Sequence, residues 1–524
     1  MEKDIEITNL NEIKEKLWKA CDQMRGNISS EQYMHIIIGL IFLKTISDKK
    51  DYAYQQFSKE YESESDEKRL KKWDIIKDDL EFLDKYGIKF LVPSEASWEE
   101  ITKYIGTSEL GTKIDEAFLA IEKNENLKGL FDKNFNREEL DKIRLGNVIK
   151  EFTNINFSQV KEDFIGRLYE YFLGNFFRKL GQKGGEFYTP RSVVELMVAI
   201  LNPESDSSIY DPCCGTGGMF IQAKQYLQKN NLPTDELKIY GQEFQNQTWK
   251  LARINLILNG FDPDDTHLGS RSEDTFNDDL TGNKKFDIVL ANPPFNVKKW
   301  QTNDMSGDPR FAWGMPPEGN GNYAWISHIV YKLNRKGRAA IVLANGSVSS
   351  SQKNELAIRK KMLEENKIEA IISLPDKLFY TTGIAATIWI FNNQKENDDF
   401  LLINAEELGE LESKKLRHLT KSNIEKIVDV YKQFREGKKI NEKDLARSVS
   451  LDEIKENDYS LVPGRYIEYS NEDIDKEEII KEILEIEAEL NSLFKDFSDL
   501  IPQVQEAIKK SIEYSQKTDE DEEK

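Results

Sequence analysis

Between Ser208 and Asn392 six short apolar runs, SIYDPC, KIYGQEF, FDIVLANPPF, GRAAIVLANG, IEAIISLP and AATIWIFN, alternate with stretches of helical character. No other feature limits the fold so tightly. Short runs that are apolar at nearly every position suit strands buried on both faces, and strands separated by helices pair through crossovers. The expected fold class is α/β, a largely parallel sheet with helices on both sides. Such sheets bind nucleotide-like ligands beyond the carboxyl ends of their strands, so the residues just after each run are where chemistry is sought.

The 524 residues allow roughly three domains. From Asn9 to about Lys150 the pattern is helical. Tyr33, Ile36, Ile37, Leu40, Ile41 and Leu43 form a dense helical repeat, with Ser29 and Ser30 as its caps. Asp163 to Leu180 reads as a second amphipathic helix. Beyond about Phe400 the sequence returns to helix and charge. Ile479, Ile483, Ile486, Leu490, Leu493, Phe497 and Leu500 fall at alternating steps of four and three, a heptad seam that lies against a partner helix. That partner is either this chain or another subunit. Pro502 is expected to end or kink the helix. The expected domains are therefore 1–155 helical, 156–400 the α/β unit, and 401–524 helical.

Composition narrows the function classes. No apolar run approaches the length of a membrane span, and the start, MEKDIEITNL, has no secretory pattern. Three cysteines, two of them adjacent, exclude a disulfide framework and fit a reducing cytoplasm; four scattered histidines give no metal cluster. A net charge of −21 argues that the chain alone holds nucleic acid weakly.

Three motifs carry chemistry. In SIYDPCCGTGGMF a strand runs into Asp211, then a turn with Gly215, Thr216, Gly217 and Gly218, then a helix. Glycines let a backbone approach a ligand closely. The spacing is neither that of the dinucleotide fingerprint nor that of a phosphate loop, so no ATP-driven motor is encoded here. In KIYGQEF, Glu243 closes the next run, where a carboxylate can accept both hydroxyls of a ribose; alone, it could equally be a surface glutamate. FDIVLANPPF empties into Asn292, Pro293, Pro294 and Phe295. The Asn292 side-chain oxygen and the Pro293 carbonyl can each accept one hydrogen of an exocyclic amine such as that of adenine, aiming its lone pair at an electrophilic methyl group. Phe295 offers a face for a base turned out of a duplex. Catalysis would then rest on positioning and hydrogen bonds. Cys213 follows a proline, as the nucleophile of cytosine C5 methylation does, but it sits in the glycine turn and reads as a small turn residue.

Together these residues resemble the amino-methyltransferases of DNA, specifically the modification subunit of type I restriction–modification systems. The resemblance covers roughly Asn9 to Tyr466, including the N-terminal LWKACDQMRGNISSEQYMHIIIGLIFLKTISDK and GGEFYTPRSVVELM, which starts at Gly184. It implies a Rossmann-like S-adenosylmethionine-dependent core and methylation of adenine N6 in DNA. Its cofactor residues would be Glu186, Phe187, Tyr188, Thr189, Pro190 and Arg191, then Asp211 to Gly218, Glu243, and an acid downstream for which Asp274 is preferred. Phe379 in LPDKLFYTTGI would hold the turned-out base together with Phe295. No target-reading domain is expected after Asn392. The resemblance therefore implies a separate specificity subunit, two copies of this chain on each, and a motor–nuclease subunit.

Other readings are a methyltransferase of RNA or of protein glutamine, or a cofactor-binding assembly subunit that performs no catalysis. An intact Asn292–Phe295 loop argues against the last.

Overall fold

The computed structural model describes residues 2–23, 28–155, 162–180, 189–301, 303–379, 385–413 and 416–470, and then 480, 483–488, 490–495, 497–498, 500–502, 504–506 and 508–509. Glu186, Phe187 and Tyr188 lie outside the described residues.

The six apolar runs form strands β1 (Ser208–Asp211), β2 (Lys238–Gly241), β4 (Phe286–Ala291), β5 (Leu333–Ala344), β6 (Ile368–Ser373) and β7 (Ala386–Asn392). A two-residue strand, β3 (Thr266–His267), lies between β2 and β4 in the chain. Four more strands come after residue 400 and before 443: β8 (Phe400–Asn404), β9 (Glu410–Ser413), β10 (Leu416–His418) and β11 (Asn441–Glu442); β12 (Ala446–Val449) follows. Ten of these make one sheet in the order β11-β12-β8-β6-β7-β5-β4-β1-β2-β3, while β9 and β10 pair separately.

Only part of the sheet is parallel. β3, β2, β1, β4 and β5 run the same way, but β7 is inserted antiparallel between β5 and β6, and β12 and β11 add antiparallel pairings at the far edge. The sheet also runs past the expected boundary at residue 400, since β8 pairs in parallel with β6 and β12 with β8. The region from 401 on is thus not purely helical. FLLIN and ARSV are short and sit among charges, and what makes them strands is pairing with residues distant in the chain.

Alternation along the strands divides the apolar side chains between two cores. Ile209, Ile288 and Leu290 face the larger core, while Tyr210, Phe286 and Val289 face the smaller one. The larger core is continuous with the N-terminal helices, which contribute Leu17, Ile36, Leu40 and Phe118 to it. The main N-terminal helix, Ser30–Glu60, starts at Ser29, whose side chain and that of Gln32 cap each other's backbone N–H groups. The second expected helix spans Glu162–Leu180, and its Tyr169 hydroxyl donates to the Leu251 carbonyl at 2.9 Å.

Residues 1–467 form one compact unit and 468–524 another. In the second unit the described residues are helical and expose Ile483, Ile486, Leu490, Leu493, Phe497 and Leu500 to between 49 and 62%. Ile479 lies outside the described residues. Helical residues continue at 504–506, so Pro502 does not end the helix. A proline deletes one ladder bond, which a solvent-facing helix can replace with water. Among the described residues no helix is long and apolar enough to cross a membrane.

Candidate active site

The loops that leave the carboxyl ends of β1, β2 and β4 meet where the strand order reverses direction, between β1 and β4. After β1, Gly215 (φ 54°) and Gly217 (φ 79°) adopt left-handed conformations that a side chain would strain. A Cβ on Gly217 would also meet Leu256 at 3.4 Å. The turn is tied from two sides. Cys214 N–H donates to the Gln242 carbonyl at 2.9 Å, and Asn255 Nδ2 donates to the Thr216 carbonyl at 2.8 Å. The helix Gly218–Lys229 follows directly.

Glu243, just beyond β2, is buried against that turn. Its Oε2 accepts the Gly215 N–H at 3.1 Å and its Oε1 accepts the Gln245 N–H at 2.8 Å. Each oxygen keeps a further lone pair. Burial raises this carboxyl above its ordinary pKa, opposed by the backbone N–H groups that donate to it. Asp211 is buried beside it. Burial first, then the Glu243 charge, push Asp211 up to about 7, although Cys213 N–H donates to its Oδ1 at 3.0 Å. Burial likewise holds the Cys213 and Cys214 thiols well above their ordinary value, which leaves neither a ready thiolate nucleophile.

The sign of the Asp211 shift yields a prediction. Its folded pKa of about 7 exceeds the ordinary carboxylate value, so between the two the folded chain binds more protons than the unfolded one. Stability from this group is greatest at low pH and is lost as pH rises through the folded pKa. Asp211→Asn removes that loss and keeps an oxygen for Cys213. The cofactor-free variant is expected to melt at or a few degrees above wild type at pH 8, by about 2–4 °C, with the gap closing toward pH 5. Differential scanning calorimetry at the two pH values checks this; a variant that melted lower at pH 8 would disprove it.

Asn292 follows β4. Its Nδ2 donates to Thr189 Oγ1 at 2.9 Å, while its Oδ1 is buried with no hydrogen-bond partner among the described residues. An orphaned carbonyl oxygen costs about 1–3 kcal/mol, so its persistence marks a site built for a donor that arrives from outside. The loop then turns at Asn296, which is left-handed (φ 55°) and clamped by Asn322: each of the two residues donates to the other's side-chain oxygen at 2.9 Å.

Glu273 N–H donates to the Glu243 carbonyl at 3.0 Å, and this bond brings the next residue, Asp274, against the β2 loop. Asp274 caps its own turn through the N–H of Phe276 at 2.9 Å. Arg310, from the loop after Asn292, donates to the Thr275 and Phe276 carbonyls at 3.0 and 2.8 Å.

One cavity of about 350 Å³ is bordered by Thr189, Asp211, Gly215, Thr216, Gly218, Glu243, Asp274, Asn292 and Pro294. Nine expected site residues, scattered over more than a hundred positions, thus meet there. Pro190 sits one step away as the cap of helix Arg191–Leu201. Arg191 is turned elsewhere, with its Nε on Glu195 at 3.0 Å and its Nη2 on Gln225 at 3.2 Å. Gly217, Pro293, Phe295 and Phe379 do not border the cavity. Phe295 and Phe379 instead meet edge to face, 6.2 Å between centroids, beside the Asn292 loop.

The sequence reasoning did not single out the aromatic walls Phe244, Phe276, Trp300 and Trp325. Phe244, 65% exposed directly after Glu243, had a signal, an aromatic next to a candidate acid. Trp300 and Trp325 join Phe276 through a small separate core that no local pattern reveals.

Comparison with known proteins agrees with this architecture. Residues 160–475 match the family described as N-6 DNA Methylase, and residues 13–152 match the HsdM N-terminal domain. The type I restriction enzyme MjaIX methylase subunit of Methanocaldococcus jannaschii is 33% identical, covering 94% of this chain and 91% of its own length. The HindI methylase subunit of Haemophilus influenzae is 35% identical over 78% of this chain and 93% of its own. The solved methyltransferase subunit of a type I restriction–modification system from Streptococcus thermophilus aligns with a TM-score of 0.74 at 26% identity, covering 88% of this chain and all of that one.

Proposed function

Because the chain belongs to the N-6 DNA methylase family, as a methylase subunit of the type I restriction–modification kind, we propose that the cavity beside Asn292 is where a methyl group passes from S-adenosylmethionine to the N6 amine of adenine in DNA. The chain is an adenine-specific DNA methyltransferase, and the observation that carries the assignment of its site is the buried, unpartnered Oδ1 of Asn292.

The residues fit the cofactor. The cavity volume of about 350 Å³ lies in the range of small-molecule sites. Two buried acids, Asp211 and Glu243, give it a negative potential suited to a ligand that carries a sulfonium and an ammonium. When bound, S-adenosylmethionine supplies an electrophilic methyl group. Glu243 keeps a lone pair on each oxygen for a ribose hydroxyl, and the left-handed Gly215 and Gly217 keep side chains away from the ligand. Asp274 and the aromatic wall Phe244 serve the adenine end.

On the other side, Asn292 Oδ1 accepts one hydrogen of the target amine, drawing the nitrogen toward tetrahedral geometry with its lone pair exposed. The Pro293 carbonyl accepts the second, and Phe295 with Phe379 offers apolar surface to the base. The chain's part in catalysis is orientation and electrostatic stabilisation, with direct transfer.

The partnership with specificity and restriction subunits extends to stoichiometry and docking. Two copies of this chain join one specificity subunit, whose long helices cover the exposed Ile483–Leu500 seam; a motor–nuclease subunit completes the assembly in the cytoplasm. With a net charge of −21, this chain needs that partner for much of its phosphate affinity.

Transfer of labelled methyl groups to DNA, with and without the specificity subunit, followed by nucleoside analysis, tests the reading. The expected result is label in N6-methyladenine only when the partner is present. Label in cytosine, RNA or protein would overturn the substrate, and no transfer even with the partner would favour an assembly role.

A further inference from the structure

We propose that Thr189 is a positioning residue for Asn292, its hydroxyl selecting which end of the catalytic amide faces the target base; this rests on the assignment of Asn292 given above. The two residues are 103 positions apart and joined by one hydrogen bond, Asn292 Nδ2 to Thr189 Oγ1 at 2.9 Å. Among the described residues nothing else holds the Asn292 side chain.

A primary amide turned by 180° fills the same space with oxygen and nitrogen exchanged, so only hydrogen bonds decide its orientation. As found, Nδ2 is spent on Thr189 and Oδ1 remains to accept. Reversed, the amide would point an N–H at an amine that itself presents N–H, and the acceptor that draws the nitrogen toward tetrahedral geometry would be gone. A hydroxyl can satisfy either orientation, because it can accept from Nδ2 or donate to Oδ1. Its own proton is therefore the deciding element.

In the structure that proton has no acceptor among the described residues, and Thr189 borders the same cavity as Asp211 and Glu243. An anionic group of a ligand in the cavity can take it. The oxygen is then an acceptor only, and the amide is held with Oδ1 toward the base. Occupancy of the cofactor cavity is thereby read out as readiness of the target site. The backbone makes Thr189 a firm anchor for this. Pro190, next in the chain, fixes its own φ at −56°, and its carbonyl takes the N–H groups of Val193 and Val194 at 3.0 and 3.2 Å, at the start of helix Arg191–Leu201.

The test uses the full chain assembled with its specificity subunit. Thr189→Val keeps the shape and removes the hydroxyl; Thr189→Ser keeps the hydroxyl; Asn292→Ala is the control. At saturating S-adenosylmethionine, Thr189→Val is expected to lower kcat by about 10- to 100-fold and Thr189→Ser to restore it to within about threefold. A second readout is independent of turnover. With S-adenosylhomocysteine bound, affinity is compared between duplexes carrying adenine or purine, which lacks the amine, at the target position. The preference for adenine should fall by about fivefold in Thr189→Val, the worth of one hydrogen bond, and return in Thr189→Ser. If Thr189→Val turns over normally while Asn292→Ala is inactive, the positioning role is wrong and the site assignment stands. If turnover falls but the adenine preference does not, the hydroxyl serves the cofactor alone and the proposal is overturned. If Asn292→Ala is itself active, both fall.

Discussion

Asn292→Ala will reduce methyl transfer by at least about 10³-fold, the upper range for deleting one preorganised hydrogen-bonding group, and will leave the protein no less stable. The two halves of this expectation share a cause. Asn292 Oδ1 is buried without a partner, so the folded chain already bears the cost of desolvating an oxygen that bonds to nothing within it. Alanine removes that cost along with the group. Thr189 loses one donor, but its hydroxyl can rotate to another. Cofactor affinity should stay within a few fold, because the acids and the glycine turn are untouched. Methyl transfer with DNA and the specificity subunit, a melting curve and a cofactor titration together decide the matter. A variant melting many degrees lower would make the amide a structural bond; one with normal turnover would remove Asn292 from the site.

Glu243→Ala has the second largest expected effect, and it falls on cofactor binding. The carboxylate takes the N–H groups of Gly215 and Gln245, so its loss frees two backbone donors at the lip of the cavity as well as the ribose contact. Hydrogen bonds to a charged group are worth about 1.5–3 kcal/mol each, so affinity for S-adenosylmethionine should fall by roughly 10²–10⁴-fold. Glu243→Gln retains one carbonyl oxygen and should lose less. Isothermal titration calorimetry on the full chain orders the three proteins. A Glu243→Ala chain that bound cofactor within threefold of wild type would show that the acid serves only the loop.

Much of this site could be read before any coordinates. The glycine turn after β1, the acid after β2 and NPPF after β4 are local features at strand ends, and a parallel sheet must carry its site there. What could not be read is long-range. β7 is buried at every residue, so its sequence lacks the alternation that would reveal its neighbours, and its antiparallel insertion between β5 and β6 is a matter of topology. β12, with four residues including Arg447, becomes a strand only because β8 offers it an edge. Arg191 follows Thr189-Pro190 directly, yet the helix that begins there turns it toward Glu195 and Gln225. Asp274 was one acid among several in its segment; the Glu273 bond to Glu243 that brings it to the cavity is a tertiary contact.

The helix that exposes Ile483, Leu490 and Phe497 has a further consequence, one of mass action. An isolated amphipathic helix gains little from propensity alone and owes its order to whatever its apolar face packs against. A ligand that binds only the ordered form stabilises it in proportion to the logarithm of its concentration. The order of residues 468–524 is therefore a function of how much covering surface surrounds the chain, while residues 1–467 bring their own core. Within one polypeptide, the unit that holds the chemistry has a fixed stability and the tail has a stability that titrates, so the tail registers the abundance of its partner.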